Sequence, residues 1–92
     1  MSGAPHYPFP PASAYRLNRC LYAIKSDPAF CARFLADPRG AAAEMDLSDV
    51  DYAALSPLDR DALVRLGGHP YLVFMAELRL RMAGDPGALE YF

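Results

Sequence analysis

The sequence predicts an all-α fold, a compact bundle of four to six short helices preceded by an extended Pro-rich N-terminal arm. Apolar residues recur at helical spacing, Ser or Asp followed by Pro marks several helix starts, and no strand-turn-strand pattern is present. The 92 residues suffice for one domain. We divide the chain into an arm at 1–13, a helical domain at 14–84 and a C-terminal tail at 85–92.

Both ends of the chain carry aromatic residues. The arm holds four of the nine prolines, which prevent helix formation and favour an extended, polyproline-like chain. Tyr7 and Phe9 lie between these prolines, and Tyr91 and Phe92 lie at the end of the tail. Because solvated tails usually contain few aromatic residues, these four side chains indicate contact with the domain or with another chain.

The first helix is predicted from about residue 14 to residue 26. One face of it is apolar, formed by Leu17, Cys20, Leu21 and Ile24. The opposite face carries Tyr15, Arg19 and Tyr22, residue types that are enriched in interface hot spots. Two interpretations stay open with equal weight: this face binds a partner, or the arm covers its tyrosines.

Two Asp-Pro pairs predict the next two helices. The segment SDPAF starts a helix at Pro28, with Ser26 or Asp27 as the N-cap, and the helix ends near residue 36. Its inward side chains are predicted to be Phe30, Phe34 and Leu35. The segment DPRGAAAEM starts a short third helix at Pro38, which ends near residue 45.

Two serines predict the fourth and fifth helices. Ser48 caps a segment that runs through Leu55, and Ser56-Pro57 is predicted to cap the next one. Gly67 is placed to take the left-handed conformation that ends this helix.

The last helix is predicted from Pro70 to about Gly84, although YLVFM and LRLRM also have strand-like features. Proline suits the first helical position, the run is long for a strand, and glycine supplies a stop. Glu77 and Arg81 form an i,i+4 pair. The helical interpretation is therefore favoured.

Composition argues against several functional classes. The chain has nine basic and eleven acidic residues and no cluster of basic residues that would bind nucleic acid. It also has no apolar run long enough to span a membrane. The N-terminus lacks the features of a signal peptide, so the cytoplasm is the expected compartment. There, Cys20 and Cys31 are interpreted as buried thiols, with a disulfide as the alternative.

The chain is not expected to contain catalytic or metal-binding residues. His6 and His69 are its only imidazoles, and neither belongs to a metal-ligand or nucleophile motif. The segment GGHP is interpreted as a tight turn between two helices, with His69 as the cap or exposed N-terminus of the second. An independent enzyme that uses His69 or a cysteine is the weakest of the hypotheses that we weigh.

The segments FLADPRGAAAEMDLS and ALVRLGGHPYLVFMAEL resemble the small (alpha) subunit family of protocatechuate 4,5-dioxygenase and its relatives, over about residues 17–78. The resemblance implies a larger catalytic subunit that carries non-haem Fe(II) and cleaves catechol-type rings with O2 by extradiol chemistry. The small subunit is then a lid over the active site. Many members have GGN and a bulky residue where this chain has Gly68-His69-Pro70.

The resemblance implies a role for two sets of residues. The substrate mouth or lid would be formed by Gly67, Gly68, His69, Pro70 and Tyr71. The partner interface would include Tyr7, Phe9, Tyr15, Arg19, Tyr22, Tyr91 and Phe92. An iron site of two histidines and one carboxylate would belong to the partner, because this chain has two histidines in total. The alternative function is a stand-alone helical interaction module, for which a homo-oligomer is one arrangement.

Overall fold

The computed structural model describes residues 14–84, which form six α-helices and no strand. The helices are α1 (Ala14–Ser26), α2 (Pro28–Ala36), α3 (Pro38–Glu44), α4 (Asp49–Leu55), α5 (Arg60–Arg65) and α6 (Pro70–Gly84). The predicted all-α fold is therefore confirmed. The arm at 1–13 and the tail at 85–92 lie outside the described residues.

Helices α1 and α6 are the two longest and pack against each other, and α2 contacts both of them. Helix α3 packs on α2, while α4 pairs with α5, which in turn contacts α6. The predicted apolar face of α1 is buried in the core, and α6 contributes Val73, Ala76 and Leu80. The core therefore lies between the α1–α6 pair and the shorter helices, and the outer sides of α1 and α6 remain exposed.

Three predicted helix starts are confirmed by their side-chain caps. The Asp27 carboxylate accepts hydrogen bonds from the backbone N–H groups at the start of α2, at 3.0 and 3.3 Å. Asp37 accepts one from Gly40 at 3.1 Å, and the Ser48 hydroxyl accepts one from Asp51 at 3.1 Å. Each cap satisfies donors that the first helical turn leaves without a partner.

The predicted start of α5 at Ser56-Pro57 is wrong. Helix α5 begins at Arg60, where the Asp59 carboxylate accepts a hydrogen bond from the Ala62 N–H at 3.1 Å. Ser56 has helical dihedrals and its N–H donates to the Tyr52 carbonyl, so it belongs to the end of α4. Asp59 thus takes the capping role that the sequence suggested for Ser56.

Three helices end in the same way, with one residue in the left-handed region. These residues are Asp46 (φ 55°), Leu58 (φ 56°) and Gly67 (φ 103°). In each case the next N–H reaches back to a carbonyl five residues earlier, which is the Schellman arrangement. The predicted left-handed conformation of Gly67 is confirmed, whereas Leu58 adopts it despite its Cβ.

Leu35 is not inward as predicted, since 41% of it is exposed. Phe30 and Phe34 are buried as expected. Leu35 lies beside Pro38 and Leu58 in a surface groove of about 240 Å³. The nine-residue helix α2 therefore has a narrower buried face than its run of apolar residues indicates.

None of the helices within residues 14–84 combines the length and apolar character that a membrane span requires.

Candidate functional site

Residues 67–71, which we call the turn, comprise the end of the connection between α5 and α6 and the first two residues of α6. Gly67 donates to the Val64 carbonyl at 3.0 Å and Gly68 donates to the Leu63 carbonyl at 2.8 Å. The positive φ of Gly67 allows both bonds to form. The turn is thus held by the same backbone bonds that end α5.

Gly68 is buried, and the surrounding atoms leave no room for a side chain. A Cβ at this position would lie 2.8 Å from the Leu63 carbonyl oxygen and 3.2 Å from Cγ2 of Val73. The first contact is with backbone, which cannot move away as a flexible side chain could. The close approach of α5 to α6 therefore requires glycine here.

His69 is the N-cap of α6, in agreement with the predicted cap. Its carbonyl accepts from the Val73 N–H at 2.9 Å, and its Nδ1 accepts from the Tyr71 N–H at 3.1 Å. An imidazole nitrogen that accepts a hydrogen bond carries no proton, so the proton of the neutral ring is on Nε2. His69 is exposed, and Nε2 is the ring nitrogen available to donate to another molecule.

Asn18 in the middle of α1 fixes this turn from the other side. Its Oδ1 accepts from the His69 N–H at 2.7 Å, and its Nδ2 donates to the Gly67 carbonyl at 3.0 Å. The same Nδ2 also donates to the Ala14 carbonyl of its own helix at 3.0 Å. The side-chain amide thus bonds to the residue before Gly68 and to the residue after it, and so holds the turn against α1.

The sequence analysis did not identify Asn18 as a site residue. One signal was present, because asparagine is a poor helix former and here it lies inside a helix. Such a residue often bonds to backbone groups. Its partners, however, are 49 and 51 residues further along the chain.

Lys25 lies close to one residue of the predicted interface and to one residue of the predicted lid. Its ammonium group lies 5.4 Å from the centroid of the Tyr22 ring and 6.0 Å from that of the Tyr71 ring. These distances are typical of cation–π contacts. Tyr22, from the predicted interface, and Tyr71, from the predicted lid, are therefore neighbours across α1 and α6, and each is about half exposed.

We call the surface formed by Tyr15, Arg19, Tyr22, Lys25 and Tyr71 the aromatic surface. Tyr15 is 66% exposed and lies two turns before Tyr22 on the same side of α1. Arg19 lies between them and is also exposed. The other predicted interface residues, Tyr7, Phe9, Tyr91 and Phe92, lie outside the described residues.

A carboxylate and two guanidinium groups lie beside Phe74 on α6. The Glu77 carboxylate accepts from Nε of Arg60 and from Nη2 of Arg81, each at 2.7 Å. The hydrogen bond from Arg60 is the main reason that the pKa of Glu77 is lowered, and burial opposes this shift. The predicted i,i+4 pair is confirmed, and Arg60 extends it to α5.

Both cysteines are free, buried thiols. Burial raises the pKa of Cys20 to about 12. Burial also raises the pKa of Cys31, with Arg79 acting in the opposite direction. A thiol that stays protonated is a poor nucleophile, so neither cysteine has the environment of a catalytic residue.

The side chains of the described residues do not fit an iron site. Within residues 14–84, no three His, Cys, Asp or Glu side chains converge as metal ligands would. Non-haem iron of this kind requires two histidines and a carboxylate. His69 is the one histidine in this range, and its Nδ1 already accepts a backbone hydrogen bond.

The described residues thus form a small helical domain with a hydrogen-bonded turn beside exposed aromatic side chains. The family described as aromatic-ring-opening dioxygenase LigAB, LigA subunit, has a model that matches residues 17–83. The match covers most of the chain, which therefore belongs to this family of dioxygenase small subunits. It confirms the resemblance to the small subunit of the protocatechuate 4,5-dioxygenase type. Comparisons with curated proteins and with solved structures gave no match.

Proposed function

We propose that this chain is the non-catalytic small subunit of an extradiol dioxygenase, which cleaves catechol-type aromatic rings with O2. In this proposal it binds as a lid over the active site of a larger catalytic subunit that holds Fe(II). The family name supports a heteromer, because LigA is by its description one subunit of LigAB. The observation that carries the proposal is the family match over residues 17–83, and the structure adds that Lys25 of α1 lies beside Tyr71 of the predicted lid.

The turn has the properties that a lid requires. Its backbone is held by Asn18 and by the end of α5, so little conformational freedom is lost when a partner binds. His69 offers one N–H donor and Tyr71 a half-exposed ring. Placed over a pocket, these groups would contact substrate or the pocket rim and exclude water from the reaction.

The aromatic surface next to the turn would provide the contact with the catalytic subunit. Tyr and Arg are enriched among residues that contribute most to binding energy. Tyr15, Tyr22 and Tyr71 are each at least half exposed, although large aromatic side chains are usually better buried. A single docking event could therefore bury these rings and bring the turn to the mouth of the active site.

Iron is expected in the partner rather than in this chain. This follows from the ligand set, since the sequence contains two histidines and one of them is the N-cap of α6. We also expect the complex in the cytoplasm, where free thiols such as Cys20 and Cys31 persist.

The proposal is tested by purifying the tagged chain from its host and measuring the stoichiometry and iron content of the complex. We expect one larger subunit per chain, with iron that follows this subunit when the two are separated. Oxygen uptake with a panel of catechols would then identify the substrate class. Recovery of the chain alone or with iron-free partners would instead favour a stand-alone interaction module.

A further inference from the structure

Charge is distributed unevenly between the helices. Helices α1 and α6 together carry five basic residues and one acidic residue. The whole chain has nine basic and eleven acidic residues, so the rest of the sequence holds four basic and ten acidic ones. The α1–α6 pair is therefore a basic layer in a chain whose net charge is −2.

Three of the five basic residues on this layer form no ion pair with any residue in the range 14–84. Arg16 pairs with Asp46 at 3.4 Å, and Arg81 pairs with Glu77. The other three are Arg19, Lys25 and Arg79. Arg19 and Arg79 are exposed, and the ammonium of Lys25 lies between the two tyrosine rings of the aromatic surface.

A groove continues the aromatic surface towards the end of α6. Lys25 and Arg79 both line it, and its volume is about 250 Å³. The remaining lining residues are mostly apolar: Ile24, Pro28, Cys31, Met82 and Ala83. Lys25 belongs to both the surface and the groove, so the two form one continuous area with apolar groups and cations.

We infer that the face of the catalytic subunit that binds this area is acidic, with Asp or Glu side chains that pair with Arg19, Lys25 and Arg79. This inference rests on the proposed function, which supplies the partner. A cation that is buried at an interface without a counter-ion is strongly destabilising, so we expect the partner to provide carboxylates where these three residues dock. Complementary charge also accelerates association and fixes the orientation of the two surfaces.

The test measures association rate constants between the full chain and the iron-bearing subunit that co-purifies with it. Lys25→Glu and Arg79→Glu reverse charges in the docking area, whereas Arg39→Glu makes the same change at an exposed position of α3, which packs on α2. We expect the first two to slow association about tenfold at low salt, and the control to have a much smaller effect. The difference should shrink at about 0.5 M NaCl, where charges are screened over a few ångströms.

Thermal unfolding of each variant establishes that its fold is intact before rates are compared. Equal rates for the wild type and all three variants would overturn the inference and leave the proposed function standing. Absence of any iron-bearing partner of the wild type would overturn both.

A second copy of this chain, or the chain's own C-terminal tail, could bind this area instead of the catalytic subunit, and each predicts a different experimental result. Self-association of the purified chain that Lys25→Glu abolishes would assign the area to a second copy. Faster association of Lys25→Glu and of a variant that lacks residues 85–92, which include Asp85 and Glu90, would assign the groove to the chain's own tail. Either result would overturn the inference.

Discussion

Asn18 of α1 makes side-chain hydrogen bonds to the turn between α5 and α6, to Gly67 and to His69. Asn18→Ala removes its hydrogen bonds to Gly67 and His69 and leaves their backbone groups without these partners. Each lost bond costs about 1 kcal/mol, and the better helix propensity of alanine returns about 0.5 kcal/mol. We expect a net loss of about 1.5 kcal/mol in the free energy of unfolding, measured with urea.

Asn18→Asp distinguishes the contribution of the hydrogen bond that Asn18 accepts from His69 from that of the bond it donates to Gly67. The carboxylate still accepts from the His69 N–H, but it cannot donate to the Gly67 carbonyl. We expect it to be less stable than the wild type for that reason. A stability of Asn18→Ala equal to that of the wild type would show that the turn is held by its own backbone bonds alone.

Gly68 is predicted to tolerate no larger residue. In Gly68→Ala the new Cβ would lie 2.8 Å from the Leu63 carbonyl oxygen, so backbone must shift. We expect a loss of about 1–3 kcal/mol in the free energy of unfolding. Gly84→Ala is the matched control, because among residues 14–84 its Cβ would meet only Cδ2 of Leu35, at 4.0 Å. The control should be neutral or slightly stabilising, and similar values for both variants would contradict the close approach of α5 and α6.

Glu77 links stability to pH. Its pKa is lowered in the folded chain, chiefly by the hydrogen bond from Arg60. The ionised carboxylate therefore stabilises the fold above its unfolded pKa of about 4.3, and this contribution is lost as pH falls through the lower folded value.

Urea unfolding of wild type and Glu77→Gln at several pH values tests this linkage. We expect the variant to be less stable at neutral pH by about 1 kcal/mol, and the difference to shrink below about pH 4. Glu44→Gln, which removes an exposed pair with Arg33, should have a smaller effect at neutral pH. A difference between wild type and Glu77→Gln that is independent of pH would contradict the proposed ion-pair contribution.

At the scale of the helices, Leu58 shows how tertiary packing overrides local preference. Its left-handed conformation costs about 1–2 kcal/mol for a residue with a Cβ, and its partly buried side chain packs against the core. Leu58→Ala removes the packing and keeps the strain, whereas Leu58→Gly removes both. We therefore expect Leu58→Gly to be the more stable variant by about 1 kcal/mol, measured by urea unfolding.

The control for this comparison is Ala62, which lies inside α5. Ala62→Gly should lower the free energy of unfolding, since glycine is a poor helix former in the interior of a helix. If Leu58→Gly were instead less stable than Leu58→Ala, the left-handed assignment at Leu58 would be wrong.

Helix starts were largely predictable because their signals are local. An Asp or Ser cap satisfies N–H groups two or three residues away, and the Pro that follows fits the first turn. The start of α5 was predicted wrongly because Ser56 and Asp59 offer the same capping chemistry three residues apart. In the structure Leu58 packs against the core in the turn that ends α4, so α5 begins after it and Asp59 is the cap.

The candidate site was only partly predictable. The Gly67–Gly68 turn and the cap by His69 follow from residue types and spacing. The contacts of Asn18 with the turn, and of Lys25 with Tyr71, join helices that are distant in the sequence. No local pattern specifies them, because they depend on how α1 packs against α6.

At the scale of the whole molecule, the bundle separates two kinds of surface. The α1–α6 layer displays aromatic and basic side chains, and eight of the nine carboxylates within residues 14–84 lie on the shorter helices or in the connections that flank them. The turn at residues 67–71 lies at one edge of that layer. This arrangement suits a small subunit that approaches its partner in one orientation, with the turn placed over the active site.

The most direct test of this account is kcat/KM for oxygen consumption with a catechol by the iron-bearing subunit, measured with and without this chain. We predict that the chain raises kcat/KM at least about tenfold, and that Asn18→Ala restores less of the activity even at concentrations that saturate binding. The same kcat/KM in the presence and absence of the chain would contradict the lid function.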